Sequence, residues 1–433
     1  MSTKDLNIRT VEVPIMEIGS ALTDLNDWWL DGSISDSLAK SYRRHAFAEF
    51  RRLFDAYREV LVITGLRRVG KTTIIYQQIS DLLKEHAPRE ILYFTFDYGA
   101  VPITDILDAY RKLTDVDWKH QKFFLFLDEV QKLAGWSSQV KMLYDSFPNI
   151  KIVVSGSASL ELEKGAADNL AGRHFLVGIK PLSLIEFYEL KHERHIERPA
   201  LFRDELDAEV DAYITKPFPE TVKWRSYRDV AAYVRENVVS KIVRSDLPDS
   251  FKGVNFFLLE KMLDVFYSNP GMLLSVDENV KAFGVSKTTF ENHLFFLDFA
   301  KLIRIVGNFR GSTVAASRKG KKVYPYDISL ALAFNPDIGA GSILETKVAS
   351  VLAAKAYWRH ADAEVDFVVS DRHRKVGVEV KASKNFSKSD LSGLHRLSDR
   401  FGMREVLIYR GNTGRSGRVR LINFTDFLIK EGL

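Results

Sequence analysis

The sequence has no cysteine in its 433 residues, which excludes disulfides, thiolate metal sites and a cysteine nucleophile together. It also lacks a long apolar run. The most apolar stretches, Phe123–Leu127 and Leu294–Leu297, are far shorter than the roughly 20 residues a membrane-spanning helix needs. Residues 1–30 carry acidic side chains throughout and no continuous apolar segment, so no secretory signal is expected. No tract is of low complexity. These absences predict a cytoplasmic protein with no membrane contact. What remains, 46% apolar and 27% charged, is a globular composition, and at roughly 100–200 residues per domain the length predicts three compact units.

A net charge of +5 is modest but unevenly spread. Gly307–Lys322 contains Arg310, Arg318, Lys319, Lys321 and Lys322 and no acid, and Asp371–Arg420 has 13 Lys and Arg against 5 Asp and Glu. A basic C-terminal half fits either a polyanionic partner or a charge-rich solvated face.

The most informative stretch runs from Leu61 to Thr73. An apolar β-type run breaks at Gly65 into Leu66-Arg67-Arg68-Val69, then Gly70-Lys71-Thr72-Thr73, the spacing of a phosphate-binding loop. Gly65 and Gly70 stand where side chains would keep backbone N–H groups from closing round a phosphate, and the following helix points its positive end at the anion. Lys71 would reach the β- and γ-phosphates, and the Thr72 hydroxyl would ligate Mg²⁺. Downstream, Glu90–Asp97 and Lys122–Glu129 read as buried strands of a parallel sheet. The second ends in Asp128, placed for the Mg²⁺ shell, and Glu129, placed to polarise an attacking water. A further strand, Ile150–Val154, enters Ser155-Gly156-Ser157-Ala158-Ser159, where Ser155 or Ser157 would lie near a γ-phosphate. Helix capping by Ser157 or Ser159 is an equal alternative.

From Leu61 to about Phe187 the chain resembles P-loop ATPases of the AAA superfamily. The resemblance is to the archaeal and bacterial branch with an R-R-x-G-K-T loop, a hydrophobic D-E strand, an S-G-S segment, and G-R followed by P-L-S-x-x-E-F. It implies ATP hydrolysis, with Arg173 contacting ATP in cis or across a contact in a homo-oligomer; a surface ion pair is the alternative. Where the family usually has Gly-Gly-Phe-Pro-Glu, this chain has Lys216-Pro217-Phe218-Pro219-Glu220.

The remaining segments are read in order. Residues 1–40 form an N-terminal arm in which Trp28 and Trp29 are anchors. Residues 41–188 form the ATPase core, beginning with an amphipathic helix at Ser41–Tyr57. Residues 189–250 suit a helical lid, where His192 and His195 have no third ligand nearby in sequence. Residues 251–328 show a winged helix-turn-helix pattern. Gly284 turns the chain and Ser286 caps a helix that presents Lys287, Thr288, Thr289 and Asn292. Arg310, Arg318, Lys319, Lys321 and Lys322 supply a basic wing for DNA phosphates, and a protein-binding role for this domain is the alternative.

Residues 340–433 place Glu345 on a helix, Asp366 in a strand Glu364–Val369, and Glu379 and Lys381 on one face of the strand Lys375–Lys381. Hard oxygen ligands of this kind suit Mg²⁺ or Mn²⁺, with the lysine beside an attacking water. This region resembles the PD-(D/E)xK nuclease fold in the version that follows such ATPases: an L-E helix, then x-E-V-D-F, then V-E-V-K. The resemblance implies metal ligation by Glu345, Asp366 and Glu379, with Ser383 at an accessory polar position. The expected fold is thus α/β: a P-loop AAA-type parallel sheet with a helical lid, then a winged helix, then a PD-(D/E)xK-like domain. The expected function is an ATP-hydrolysing, DNA-processing nuclease of repair or recombination, acting on DNA that includes branched forms. The alternative is a non-nucleolytic regulatory ATPase switch whose C-terminal modules bind a protein.

Overall fold

A computed structural model describes residues 15–157, 169–310, 320–371 and 374–433. The chain divides into two units, Met1–Gly65 with Gly70–Ile179, and Leu66–Val69 with Lys180–Leu433.

In the first unit five strands, β1 (Val60–Gly65), β2 (Ile91–Thr95), β3 (Phe123–Asp128), β4 (Ile150–Gly156) and β5 (His174–Ile179), form a sheet ordered β2-β3-β4-β1-β5. Every pairing is parallel. The strands read as near-continuous apolar runs because helices cover both faces of such a sheet. The edge strand β2 is sealed by residues 26–29 of the N-terminal arm. The buried Asn26 amide donates to the Tyr93 carbonyl at 2.9 Å and accepts from its N–H at 2.7 Å, while the Trp29 indole donates to the Ile91 carbonyl at 2.9 Å. Those contacts satisfy an open sheet edge. The helix His45–Ala56 buries Phe47, Phe50, Leu53 and Phe54. Tyr57 falls just beyond it, where its ring packs on Phe175 at 4.8 Å.

The second unit begins with helices Leu184–His192 and Arg203–Thr215, the first opened by a reciprocal capping box between Ser183 and Glu186. The Lys216–Glu220 turn docks through the Leu182 N–H on the Pro217 carbonyl at 2.8 Å, with Phe218 fully buried. Then come helix Phe256–Ser268, strand β6 (Met272–Leu274), helices Val276–Phe283 and Lys287–Phe299, and strands β7 (Ile303–Asn308) and β8 (Lys321–Pro325). Gly284 is left-handed at φ 67°, and Ser286 accepts the Thr289 N–H at 3.1 Å, so the turn between the two helices closes as its residue types require.

Two further strands, β9 (Ala356–His360) and β10 (Ala363–Val365), extend this sheet to the order β10-β9-β7-β8-β6. The expected division at residue 340 is therefore crossed by hydrogen bonding, with β9 parallel to β7. A third sheet, ordered β11-β12-β13-β15-β14, contains β11 (Phe367–Asp371), β12 (Arg374–Lys381), β13 (Arg404–Tyr409), β14 (Gly414–Ser416) and β15 (Val419–Asn423). The helix Ser392–Phe401 presses so close to β12 that a Cβ on Gly377 would lie 2.6 Å from a Leu397 methyl.

Candidate functional site

The loop after β1 has the backbone its glycines were expected to permit. Gly70 is left-handed at φ 96°, and a Cβ there would meet no atom within 4 Å, so glycine is required for conformation and not for space. Leu66 and Val69 are buried and Arg68 is exposed. The helix Lys71–Leu82 starts at Gly70 without a side-chain cap, leaving its first N–H groups directed at the loop. Lys71, 5% exposed, donates to the Gly65 carbonyl at 3.3 Å and lies back along the loop. Within the second unit, Arg67 of the loop crown holds Asp246 with two parallel bonds of 2.6 and 2.7 Å, and the Arg68 guanidinium stands 4.0 Å from Glu220.

Asp128 gathers the rest of the first site. At 2% exposure its carboxylate accepts from the Thr72 hydroxyl at 2.7 Å, the Tyr93 hydroxyl at 3.2 Å and the Glu129 N–H at 3.0 Å, and also from the Ser155 hydroxyl. Four donors keep the buried anion satisfied. Burial, with the charge of Asp128 beside it, pushes the Tyr93 phenol well above its ordinary range, so it remains a donor. The Ser155 hydroxyl is engaged by Asp128, beside Thr72 at the foot of the phosphate loop. Ser157 lies at the end of β4 and is 8% exposed; Ser159 is outside the described residues. Glu129 takes a left-handed backbone, φ 54°, and its carboxylate accepts from the Gln131 amide. Thr73 follows Thr72 in the first turn. Tyr93, which sequence reasoning missed, is signalled only by a hydroxyl in an otherwise apolar strand.

Arg173 requires a correction. It immediately precedes β5, whose His174 is in register with Val60, whereas the loop follows Gly65, in register with Ile179. Arg173 is six residues before Ile179, at roughly 3.3 Å per residue about 20 Å from the loop, at the opposite end of the sheet. There it pairs with Asp145 at 2.8 Å. Contact with a nucleotide in cis is excluded.

The second constellation lies where β10, β12 and the helix Ala340–Val351 approach one another. Asp366 is not inside a continuous strand. It stands at the break between β10 and β11, where the chain leaves one sheet for the next, and its carboxylate accepts the Val380 N–H at 2.8 Å. Burial, then the charges of Glu379 and Glu345, push Asp366 well above the usual carboxylate range. Glu379 is likewise raised, by burial first, with Glu345 adding to it and Lys381 opposing. Glu379 and Lys381 share a face as expected, their charged atoms 3.4 Å apart, and Lys381 also lies 3.4 Å from Asp390. Burial works against the Lys381 ammonium, but Glu379, Asp390 and Asp366 outweigh it and hold its pKa above the ordinary lysine value.

Lys322 does not belong to an exposed basic wing. The expected wing strand β8 is an inner strand between β6 and β7, and strand alternation leaves Lys321 exposed while Lys322 is 6% exposed. Its ammonium lies 2.6 Å from Glu364 and 3.5 Å from Glu345, and Glu345 also accepts from the Tyr324 hydroxyl at 2.5 Å. Glu364 and Asp390 thus join a group that the motif alone did not include. Among the described residues, no three carboxylates or imidazoles come together closely enough to hold a metal ion. The expected trio of Glu345, Asp366 and Glu379 is therefore not a preformed ligand set, because Glu345 is drawn to Tyr324 and Lys322 while Asp366 is turned to a backbone amide. The Ser383 hydroxyl is turned to the Asn385 carbonyl. His192 lies 3.0 Å from Glu209, and His195 lies 2.8 Å from the buried carboxylate of Glu189.

Of the expected nucleic-acid residues, Lys287, Thr288 and Asn292 are exposed, and Thr289 is half-buried with its hydroxyl on Ser286 at 2.8 Å. Arg310 is exposed; Arg318 and Lys319 lie outside the described residues. No helix among the described residues is long and apolar enough to cross a membrane.

Residues 57–188 match the family model of an AAA domain, residues 211–339 a domain of unknown function (DUF8612), and residues 340–427 another (DUF4143). The chain is similar to an uncharacterized protein of Methanocaldococcus jannaschii, 25% identical over 430 residues that cover 88% of this chain and 89% of that protein. A second from the same organism is 25% identical over 343 residues, 73% of this chain and 74% of that one. An uncharacterized protein of Haemophilus influenzae is 25% identical over 238 residues, 54% of this chain and 57% of that one. Among solved structures, a Walker-type ATPase of Pyrococcus abyssi aligns at 15% identity and a TM-score of 0.38, covering 67% of this chain and 95% of that one. With the phosphate loop, the Thr72–Asp128 pair and the parallel sheet inside the first matched segment, residues 57–188 are a P-loop ATPase domain of the AAA kind.

Proposed function

We propose that the chain is a Mg²⁺-dependent ATPase that acts on DNA, and that its C-terminal carboxylates cut the DNA. The observation that carries the ATPase half is the 2.7 Å hydrogen bond from Thr72 to Asp128, which sets a hydroxyl and a carboxylate side by side at the foot of the phosphate loop. That donor set fits Mg²⁺, a hard ion that takes oxygen ligands and keeps several waters. The ion would neutralise charge developing on the phosphates. The residues of this chain do the rest: Lys71 swings from the Gly65 carbonyl to the phosphates, the loop N–H groups cradle them, and Glu129 orients the water once it releases Gln131. Tyr93 and Ser155 hold Asp128 in place.

For the second half, the order helix, β6, helix, turn, helix, β7, β8 supports a winged-helix reading, with Lys287, Thr288 and Asn292 exposed on the third of these helices. Asp366, Glu379 and Lys381 supply two carboxylates and a cation within one group, and burial first, with repulsion among the acids, holds both carboxyls above the usual range. A divalent ion would be held by Asp366 and Glu379 only once Asp366 leaves the Val380 amide, and would then activate a water; Lys381 would stabilise the attacking hydroxide or the phosphate charge. One observation favours the second reading, a regulatory switch without nuclease activity: Lys322 and Lys381 already compensate part of the acid charge internally. Labelled single-stranded, duplex and branched DNA incubated with Mg²⁺ or Mn²⁺ separates the two. Cleavage should disappear in Asp366→Ala and Glu379→Ala with ATP hydrolysis intact, whereas wild-type protein that cuts nothing with either metal would leave the switch.

A further inference from the structure

The sheet β11-β12-β13-β15-β14 has two ends, and Asp366 and Glu379 lie toward only one of them. At the other end, the amino ends of β13 and β15, a cavity of about 430 Å³ is lined by Arg404, Arg415, Arg418 and Arg420, against the acids Asp371 and Glu405. The register shows how the arginines come together. Arg415 and Arg420 are direct cross-strand partners in the antiparallel pair of β14 and β15, and Arg420 is in register with Val406, two residues from Arg404 on β13. Side chains two apart in a strand, and directly opposed across one, share a face. Arg404, Arg415 and Arg420 therefore stand in one row.

Their charges are not used up within the fold. Arg418, at the turn of the hairpin, is fully engaged: it lies 2.7 Å from Asp399 and 2.5 Å from Glu405, and donates to the His395 carbonyl at 3.0 Å. It pins the hairpin to the helix Ser392–Phe401 and consumes Glu405. Arg404 has a loose contact of 3.4 Å with Asp371. Among the described residues no carboxylate pairs with Arg415 or Arg420. Like charges directly opposite across a strand pair are destabilising by themselves, and an arginine row of this kind matches the geometry of phosphate oxygens. The cavity falls within the roughly 300–1,000 Å³ of small-ligand sites.

We propose that this row is a phosphate-binding site separate from both sites described above. Val378 is in register with Val406, so the arginines project from the face of β12 opposite to that of Glu379, and from the other end of the strand. One phosphate cannot serve both places. The phosphate belongs either to a free phosphorylated small molecule or to the backbone of a nucleic acid strand. The proposal depends on neither ATP hydrolysis nor DNA cleavage.

The test uses the full chain carrying Lys71→Ala, so that the phosphate loop contributes little, with pyrophosphate and a short labelled single-stranded DNA as probes. The double substitution Arg415→Gln, Arg420→Gln should lower pyrophosphate affinity by roughly tenfold or more, the loss expected for two charge-assisted donors. An unchanged salt dependence of DNA binding would then mark the free ligand. A salt slope shallower by about 1.4, at about 0.7 per phosphate contact on a single strand, would mark the nucleic acid backbone. Removing opposed charges should leave the melting temperature equal or higher. If it falls instead, Arg415→Lys, Arg420→Lys decides, since it keeps the charge and loses the planar fork, and should bind pyrophosphate with intermediate affinity. Pyrophosphate affinity and DNA salt slope both unchanged in a folded double variant would overturn the proposal.

Discussion

Replacing Glu379 by Gln should make the protein more stable at alkaline pH, although it removes a partner of Lys381. The cause is the burial that raises Glu379 from an ordinary 4.5 to about 7. A carboxyl with a raised native pKa holds its proton in the folded state after the unfolded chain has released it, so stability falls as pH rises through that interval. The penalty is absent below the unfolded value and complete above the folded one. A rise of this size corresponds to about 3 kcal/mol, a ceiling because Asp366 shares the repulsion. Glu379→Gln should therefore leave stability unchanged at acid pH and raise it toward that ceiling at alkaline pH. Urea denaturation of the full chain at a series of pH values, following the transition of the C-terminal region, measures the effect. Adding Mn²⁺ should narrow the difference if ion binding neutralises the pair. A variant less stable than wild type at alkaline pH, or shifted equally at every pH, would refute the assignment of burial and repulsion to this site.

Ser155→Ala and Tyr93→Phe each remove a donor to Asp128, and at ~1.5 kcal/mol or more per hydrogen bond to a charged group each should lower ATP turnover roughly tenfold and raise the Mg²⁺ concentration required; steady-state phosphate release against Mg²⁺ reads both. Asp327→Asn should strand the Lys347 ammonium, 2% exposed and 3.0 Å from its partner, at about 3–5 kcal/mol, seen as a lower melting temperature. Gly377→Ala should cost about 1–3 kcal/mol through overpacking against Leu397, by the same measurement.

What could be read in the sequence was what depends on local order. The phosphate loop, the strand ending in Asp128, the turn at Gly284 and the shared face of Glu379 and Lys381 all follow from spacing along one segment, and the structure has each of these local arrangements. What could not be read depends on which strand becomes a neighbour. The charge run ending at Lys322 has the composition of an exposed hairpin, but pairing on both sides made β8 an inner strand and turned Lys322 onto Glu364 and Glu345. Glu364–Val369 has the alternation of one strand, yet the chain changes sheets at Asp366, with its carboxylate on the Val380 amide. Arg173 is adjacent in sequence to motifs that border the nucleotide, but parallel strand direction puts it at the far end of β5. Tyr93 and Asp390 carry no motif, and their roles come only from tertiary proximity.

The most direct test of the central claim is phosphate release from ATP by the full chain in Mg²⁺, compared with Lys71→Ala and Glu129→Gln. The account predicts turnover in the wild type, weak nucleotide binding and no turnover in Lys71→Ala, and ATP held without turnover in Glu129→Gln. Near-normal hydrolysis in either variant, with the wild type active, would contradict it.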